Sequence, residues 1–513
     1  MPIFTACLIC VTDFGAVGDD VTDDTAAIQA AMDHAASLPT GGSVLFPAGY
    51  YRISAPLIQD SRVFLTSGGG LWDVVIRPTT GFTGSALIKT RGFDTYNAGN
   101  YSSVRDDGIP YGYGVWGLAL DGMQAVSRCY EGYGKFRYMK ITCTDAVDDC
   151  FFHACGKDPG IETTPVDGVM RDLWEGVLDI DTARSGRYGV HFMGPHDAHI
   201  IRSVNALHSD WHFFIDYDDN RDGGCRIGRV HTYGGSGRGV RFRSSVQGDH
   251  VIAENGVLIE GYTETLLNII QTRNSSSPAC VQITGPCDIG MIRANCNMGD
   301  VYPAANGVEV SASRVKIGQM RVLGASGGGA GTGLVIASTA SDFWVGKADI
   351  RAFGAVGGQG LSIDGADNVR INGRISSCKT NASFAPGCDD CHVEFDSYVL
   401  TGQQHFSGSP GARSKLLING FGATTMAKEA VVADTVDTSI SQYVSKTLVF
   451  PRPLSYTPSP AQVNVVMLPP SAPLAAARPA RIVAVSDTEA TVEFEVTGAV
   501  AGSTQGFELR VAP

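Results

Sequence analysis

The feature that most constrains this chain is a recurrence between about residues 185 and 376. A Gly-Val-x-Φ unit, with Φ apolar, appears as Gly189-Val-His-Phe, Gly239-Val-Arg-Phe, Gly307-Val-Glu-Val, Gly333-Leu-Val-Ile and Gly360-Leu-Ser-Ile. His212-Phe-Phe-Ile-Asp and Cys280-Val-Gln-Ile are degenerate copies. A Φ-Gly-x-Φ unit alternates with it, as Ile227-Gly-Arg-Val, Ile289-Gly-Met-Ile, Ile317-Gly-Gln-Met and Val345-Gly-Lys-Ala. The period of roughly 28 residues lies in the window of solenoids. Each unit reads as an alternating strand with one apolar face, bounded by Gly, Asn, Asp or Ser turns. Stacked in parallel about 4.8 Å apart, such strands bury their apolar faces only under the next coil. A β-propeller would need blades of roughly 40 or more residues built from antiparallel hairpins, a spacing that is absent.

The start of the chain is equally structured. Val11 to Phe14 reads as a short strand ending at Gly15 and Gly18. Thr22, Asp23 and Asp24 offer N-cap oxygens to a helix over Ala26 to Ala36, which Gly41-Gly42 stops. Val44 to Phe46 and Tyr51 to Ile53 read as strands joined by a Pro-Ala-Gly turn. The acidic run Asp19, Asp20, Asp23 and Asp24 is read as turn and cap oxygens in preference to a metal site. Together, Val11–Met32 and Gly41–Ser54 resemble the opening of the pectate-lyase-like parallel β-helix proteins, a group rich in phage tailspikes and polysaccharide-degrading enzymes. The resemblance implies an all-β fold, a right-handed parallel β-helix whose end is covered by a short capping helix.

Composition sets the outer bounds. With 513 residues, 63 of them Gly and only 18% charged, the chain suits many tight turns and stacked strands. A net charge of -13 argues against nucleic acid as a partner. No apolar run reaches the roughly 18 residues of a membrane span, so no membrane insertion is expected. The apolar stretch Ile3 to Val11 lacks a preceding Lys or Arg and is read as a structural or docking strand. The thirteen Cys include CxxC pairs at Cys7/Cys10 and Cys388/Cys391, yet show no regular four-ligand grouping. They are read as buried thiols of a protein made in a reducing cytoplasm, with no metal and no cofactor expected.

From about 376 to 415 the repeat decays into a Gly-, Ser- and Pro-rich passage. Alternating strands return around Leu448-Val-Phe-Pro-Arg-Pro-Leu, Gln462-Val-Asn-Val-Val-Met and Arg481 to Val496, the pattern of a small antiparallel sandwich. That pattern is similar to the H-type-lectin-like modules that end some phage tail proteins, which implies trimer formation or sugar binding. The expected plan is a docking and capping segment 1–55, a β-helix 56–400, a linker 401–445 and a C-terminal sandwich 446–513.

On a Gly-Val-x-Φ strand the Val and Φ side chains face inward and x faces out. Read up the stack, the outward positions give His191, then Phe214 and Asp216, Arg241 and Arg243, Gln282 and Glu309. Cleaving a glycosidic bond with acid chemistry needs two carboxyl groups, roughly 5 Å apart for retention or 6.5–9.5 Å for inversion. Asp216 and Asp218 in one cluster and Glu260 and Glu264 in another supply the candidates, with Asp179 and Asp181 behind them. Trp211, Tyr217 and Tyr262 are candidate stacking platforms for sugar rings. A lyase would instead need a base beside a neutralised uronate, for which His191 with Arg241 and Arg243 are suited. Asp148-Asp149-Cys150 with Arg241-Phe-Arg243 resembles the polygalacturonase signature, but the intervening Gly-His-Gly is absent and position 243 is Arg.

The tailspike resemblance implies a virion protein of the phage tail that binds and hydrolyses a bacterial surface polysaccharide. It further implies a homotrimer attached to other phage tail or baseplate proteins. The alternatives are a polysaccharide lyase, a receptor-binding spike that only holds glycan, and a free secreted polysaccharide enzyme.

Overall fold

The computed structural model describes residues 8–511 apart from 71, 95–109, 155–175, 194–199, 208, 210, 217–224, 235–237, 244, 262–263, 274–278, 297–305, 325–329, 409–413, 423–429, 438–442, 450–457, 459–462, 471–475, 487–488 and 498–503. The fold is an all-β parallel solenoid of about twelve turns followed by antiparallel strands, with one α-helix among the described residues. It divides into two compact units, Met1–Gly318 and Gln319–Pro513.

In the first unit the coils build two parallel sheets. One holds long strands, among them Lys135–Ala146, Val177–Ser185, Ile200–Leu207, Arg226–Tyr233, Gln247–Ala253, Thr265–Arg273 and Cys287–Asn295. The other holds short strands, running from Leu57–Gln59 and Ala86–Thr90 through Arg128–Tyr133, Phe151–Ala154, Tyr188–Met193, Trp211–Asp216 and Arg238–Phe242. Val257–Ile259, Ala279–Ile283 and Asn306–Val310 continue it. Coils therefore begin well before residue 185.

The Gly-Val-x-Φ unit is the short strand. Val190 and Phe192 are fully buried in the coil interior, as are Val240 and Phe242. The leading glycine sits where successive coils nearly touch: a Cβ on Gly189 would lie 2.6 Å from the His212 carbonyl oxygen. No larger residue fits there without moving the backbone.

The Φ-Gly-x-Φ unit is not the simple alternating strand expected from the sequence. Ile227 and Val230 are both buried although three residues apart, and strict alternation would put them on opposite faces. A bulge resolves this. Ile227 pairs with Ile201 and Gly248, Arg229 pairs with Ser203 and His250, and the pairing steps over Gly228. It steps over Arg202, Asp249, Asn268 and Gly290 in the same register. The result is one bulge stacked through successive coils, a crease along the sheet. A Cβ on Gly228 would lie 2.7 Å from the Arg202 carbonyl oxygen, so at that level the crease demands glycine, whereas Arg202, Asp249 and Asn268 occupy it at others.

At the N-terminus the helix spans Thr25–Ser37 and buries Ile28, Ala31, Met32 and Ala35. Its cap differs from expectation. Asp24 occupies the N-cap position without a side-chain cap bond. Its buried carboxylate turns back to accept from the N–H groups of Val17 at 2.7 Å and Gly18 at 3.0 Å. Asp23 accepts from the Thr25 N–H instead, at 3.0 Å. Val11–Phe14 is a 3-10 turn ending at left-handed Gly15, not a strand, because Gly15 and Ala16 donate back to Thr12 and Val11. Leu8–Cys10 pairs in parallel with Ser43–Leu45, so the described end of the apolar N-terminal stretch is a structural strand.

In the second unit, short strands Thr332–Ile336, Gln359–Ile363, Thr380–Phe384 and Gln404–Gly408 pair in parallel. Long strands Ser341–Arg351, Asp367–Ser376, His392–Val399 and Lys415–Gly422 do the same. Residues 401–445, read from the sequence as a linker, thus contain the last parallel strands and the first antiparallel one. Ala430–Asp437 and Val463–Pro470 flank Thr504–Val511 in one antiparallel sheet. Tyr443–Val449 and Ala476–Val485 flank Glu489–Thr497 in another. The two share a core of Leu448, Val492, Phe494, Phe507 and Leu509, with the Phe494 and Phe507 rings 4.6 Å apart, which makes them a small sandwich. Cys388 and Cys391 are buried and donate to the carbonyls of Ile363 and Ala366.

Two outcomes follow for the capping segment. Asp24→Ala leaves the part-buried Val17 and Gly18 N–H groups without their carboxylate acceptor and lowers unfolding stability by about 1–3 kcal/mol, measurable by denaturant titration. The Thr22 and Val21 N–H groups hold the Asp19 carboxyl below its ordinary value, and the Ser54 and Thr25 hydroxyls do so for Asp23. Depressed carboxyl values contribute stability above the ordinary 3.8 that is lost as pH falls through the lower folded values. Amide hydrogen exchange at Val21, Thr22 and Thr25 therefore accelerates, relative to its intrinsic rate, only on acidification below that point.

Candidate functional site

The outward positions of the short-strand sheet form a continuous row. Lys89, Glu131, Phe152, His191, Phe214 and Arg241 each pair with the next. The row continues through Leu258, Gln282 and Glu309. Leu258 interrupts the polar sequence read from the repeat. Exposure along the row is uneven: His191 is 3% exposed and Phe214 2%, whereas the Arg241 side chain keeps 24%.

In the buried half every charge is paired, as burial requires. Lys89 Nζ lies 3.4 Å from Glu131, and Glu131 accepts from Arg128 at 3.1 Å. Arg128 Nε donates to Asp149 Oδ2 at 3.1 Å, and the same oxygen lies 3.3 Å from His191 Nδ1. Aromatic rings fix the imidazole. It stacks on Phe214 with centroids 5.1 Å apart and planes 13° apart, meets Phe152 edge-on at 5.0 Å, and stands 4.5 Å from the Tyr188 ring. The Arg128 guanidinium lies 4.0 Å over Phe152.

At the open half, the Arg241 guanidinium sits over both Phe214 at 4.7 Å and Trp211 at 5.5 Å. Two of its nitrogens bind Glu260, Nε to Oε2 at 2.5 Å and the second to Oε1 at 3.2 Å. This fork geometry, backed by a ring face, holds both groups in one place. The adjoining row carries Asp216, Arg243 and Glu260. Ile215, Phe242 and Ile259 are paired in register, and the ladder continues as Arg243 N–H donates to Ile215 and Glu260 N–H to Phe242. The backbones of Asp216 and Glu260 are therefore two strand spacings apart, ~9.6 Å.

Among the residues singled out in the sequence, His191, Trp211, Arg241 and Glu260 thus come together, with Arg243 beside them. Glu264 is exposed, ahead of the long strand Thr265–Arg273. Tyr217, Asp218 and Tyr262 lie outside the described residues, and of Asp216 only the backbone is described. Sequence reading missed Asp149 as the partner of His191, and it missed Arg128, Glu131 and Tyr188. The signal was obscured because Arg128–Tyr133 and Phe151–Ala154 lack the Gly-Val pair. Among the described residues no cluster of His, Cys, Asp or Glu is arranged to hold a metal ion. No helix among them is long and apolar enough to cross a membrane.

Residues 8–107 match the family model described as rhamnogalacturonase A/epimerase, pectate lyase-like. The chain is 42% identical to mannuronan C5-epimerase AlgE3 of Azotobacter vinelandii over 186 residues, 32% of this chain and 10% of that protein. It is 26% identical to the tail spike protein of Shigella phage Sf6 over 244 residues, 46% of this chain and 34% of that one. The chain thus spans at most about a third of the length of either. Among solved structures, the tailspike gp61 of Pseudomonas phage phi297 aligns over 98% of both chains at 10% identity, with a TM-score of 0.44. Over residues 8–107 the chain is thus similar to the pectate lyase-like family, and its coils form a parallel β-solenoid.

Proposed function

We propose that this chain is a tailspike-type protein of a phage virion that binds a bacterial surface polysaccharide on its short-strand sheet and hydrolyses it. The observation that carries this reading is the placing of Asp216 and Glu260 two strands apart beside a platform of Trp211, Phe214 and Arg241. A backbone separation of ~9.6 Å, with Arg243 on the coil between, suits two side chains that flank a substrate at a carboxyl spacing used by glycosidases. Glu260, with both oxygens accepting from Arg241, takes the carboxylate role of base or nucleophile. Asp216 takes the acid role, with Asp218 and Glu264 as the remaining carboxyl candidates. The likeness to a phage tail spike and to an enzyme acting on mannuronan supports a polysaccharide as substrate. In the same reading the C-terminal sandwich serves trimer formation or sugar binding, and the N-terminal segment docks to other phage tail or baseplate proteins.

One observation favours a second chemistry. His191 is oriented by Asp149 and flanked by Tyr188. With Nδ1–H donated to Asp149, Nε2 is the basic nitrogen. In β-elimination a base removes the proton next to the uronate carboxylate, the C–O bond to the leaving sugar breaks, a C=C bond forms, and the leaving oxygen gains a proton. Arg241 would neutralise the uronate carboxylate.

Incubation with purified surface polysaccharide from candidate hosts tests both. Hydrolysis yields new reducing ends without unsaturated-uronate absorbance, and Glu260→Gln slows it about 10²–10⁴-fold. Growth of the unsaturated band, abolished in His191→Ala but not in Glu260→Gln, would replace hydrolysis by elimination. Polysaccharide bound by the protein but left at full length would reduce the function to binding.

A further inference from the structure

The long-strand sheet of the first unit carries a second constellation that the proposed hydrolytic site does not use. The stacked bulge opens a cleft of about 730 Å³ across five coils. Gly228 and Gly290 leave its floor without side chains at two of the five levels. One wall is a single row in register, Ile200, Arg226, Gln247, Leu266 and Asp288. Asp249 and Asn268 stand in the crease itself, joined by a hydrogen bond of 2.9 Å.

The same wall row runs back through Val177 to Tyr138. Tyr138 stacks on Trp116 with centroids 4.9 Å apart and planes 30° apart. Its hydroxyl donates to Asp179 at 2.6 Å, and Arg202 binds the same carboxylate at 3.3 Å. Lys140 lies 5.2 Å from the centroid of the Trp116 ring. Tyr138 stands two strands, ~10 Å, before the Ile200 end of the cleft, and Trp116 one strand further. Both rings are only partly buried.

These groups match one kind of ligand. Amide, carboxylate and guanidinium groups alternate along the cleft, and sugar hydroxyls both donate and accept. Ile200 and Leu266 are 43% and 41% exposed, apolar strips of the kind that meet the C–H faces of pyranose rings. Two carboxylates, Asp249 and Asp288, face one guanidinium, Arg226, in the lining, a balance that disfavours an anionic chain. A second copy of this chain would need a wide apolar surface, which a narrow polar crease lacks.

We infer that this crease is a second, non-catalytic glycan-binding cleft, which takes a neutral stretch of polysaccharide across the coils with Trp116 and Tyr138 as a stacking platform at one end. The inference rests on the reading that the protein binds surface polysaccharide, but it concerns a different face. A polymer held on two faces gains effective concentration at each.

The test uses the full-length Glu260→Gln protein against a panel of purified neutral and acidic bacterial polysaccharides, immobilised. An Arg226→Ala/Asn268→Ala double variant and a separate Trp116→Ala variant are compared with it at equal melting temperature. The expected result is binding of a neutral polysaccharide that weakens at least tenfold in both variants. Unchanged binding in both overturns the cleft and leaves the proposed function standing. A shift to a smaller assembly in sedimentation assigns the crease to contact between copies and also overturns it. Binding of no polysaccharide by any form overturns both readings together.

Discussion

Backbone-to-backbone contact between successive coils governs what this structure can do. At Gly189 a Cβ would lie 2.6 Å from the carbonyl oxygen of His212, and at Gly228 one would lie 2.7 Å from that of Arg202. Contacts this close lock each coil to one position over its neighbour, because a slip by one residue would drive a side chain into a carbonyl. Register then becomes exact over many coils, and residues far apart in sequence fall into straight rows. The row from Lys89 to Glu309 exists for that reason, and so does the crease. Function on such a scaffold is written across coils, one residue per strand, and never within a local motif.

Burial along the short-strand row divides it into two parts with different physics. From Lys89 to His191 the ionic groups alternate in sign and share partners: Glu131 meets Lys89 with one oxygen and Arg128 with the other, and one Asp149 oxygen serves both Arg128 and His191. Removing one member would leave a buried charge uncompensated, which costs more than the pair itself contributes. That half is a fixed support. Its aromatic members, Phe152 and Phe214, present the imidazole and the guanidinium with defined faces. From Arg241 onward the same row is partly exposed, the Arg241 side chain keeping 24%.

The sequence made the architecture readable where local chemistry and repeat agreed. Gly-Val-x-Φ is legible because most copies keep the corner glycine and all keep an apolar inward pair. The Thr25–Ser37 helix was legible from Ile28 and Met32, but its cap was not, since Asp24 satisfies Val17 and Gly18 behind it. Φ-Gly-x-Φ was visible as a motif yet misread as alternation; two buried residues three apart mean a bulge, and that inference was available. Coils before residue 185 were hidden because Arg128–Tyr133 and Phe151–Ala154 dispense with the Gly-Val signature. His191 stood out, whereas its partner Asp149 did not. Their contact bridges 42 positions, and only the register of Phe152 against His191 brings them together.

The bulge explains why one solenoid can carry two unlike faces. Strict alternation would leave the long-strand sheet with evenly spaced outward side chains and no concavity. Stepping over Gly228, Asp249, Asn268 and Gly290 in the same register breaks that evenness along a line, and at Gly228 and Gly290 no side chain fills it. The short-strand sheet's pairing also steps over one residue per strand, at Gly189, His212 and Gly239, but those positions are buried; its outer relief comes from side-chain size, with rings at Trp211 and Phe214 set beside Arg241 and Glu260. Because each coil's core is covered by its neighbours alone, outward residues on either face change without repacking the interior. Change on either face therefore acts on rows already held at a fixed ~4.8 Å spacing, and the spacing itself, set by hydrogen bonding and glycine contacts, stays out of its reach.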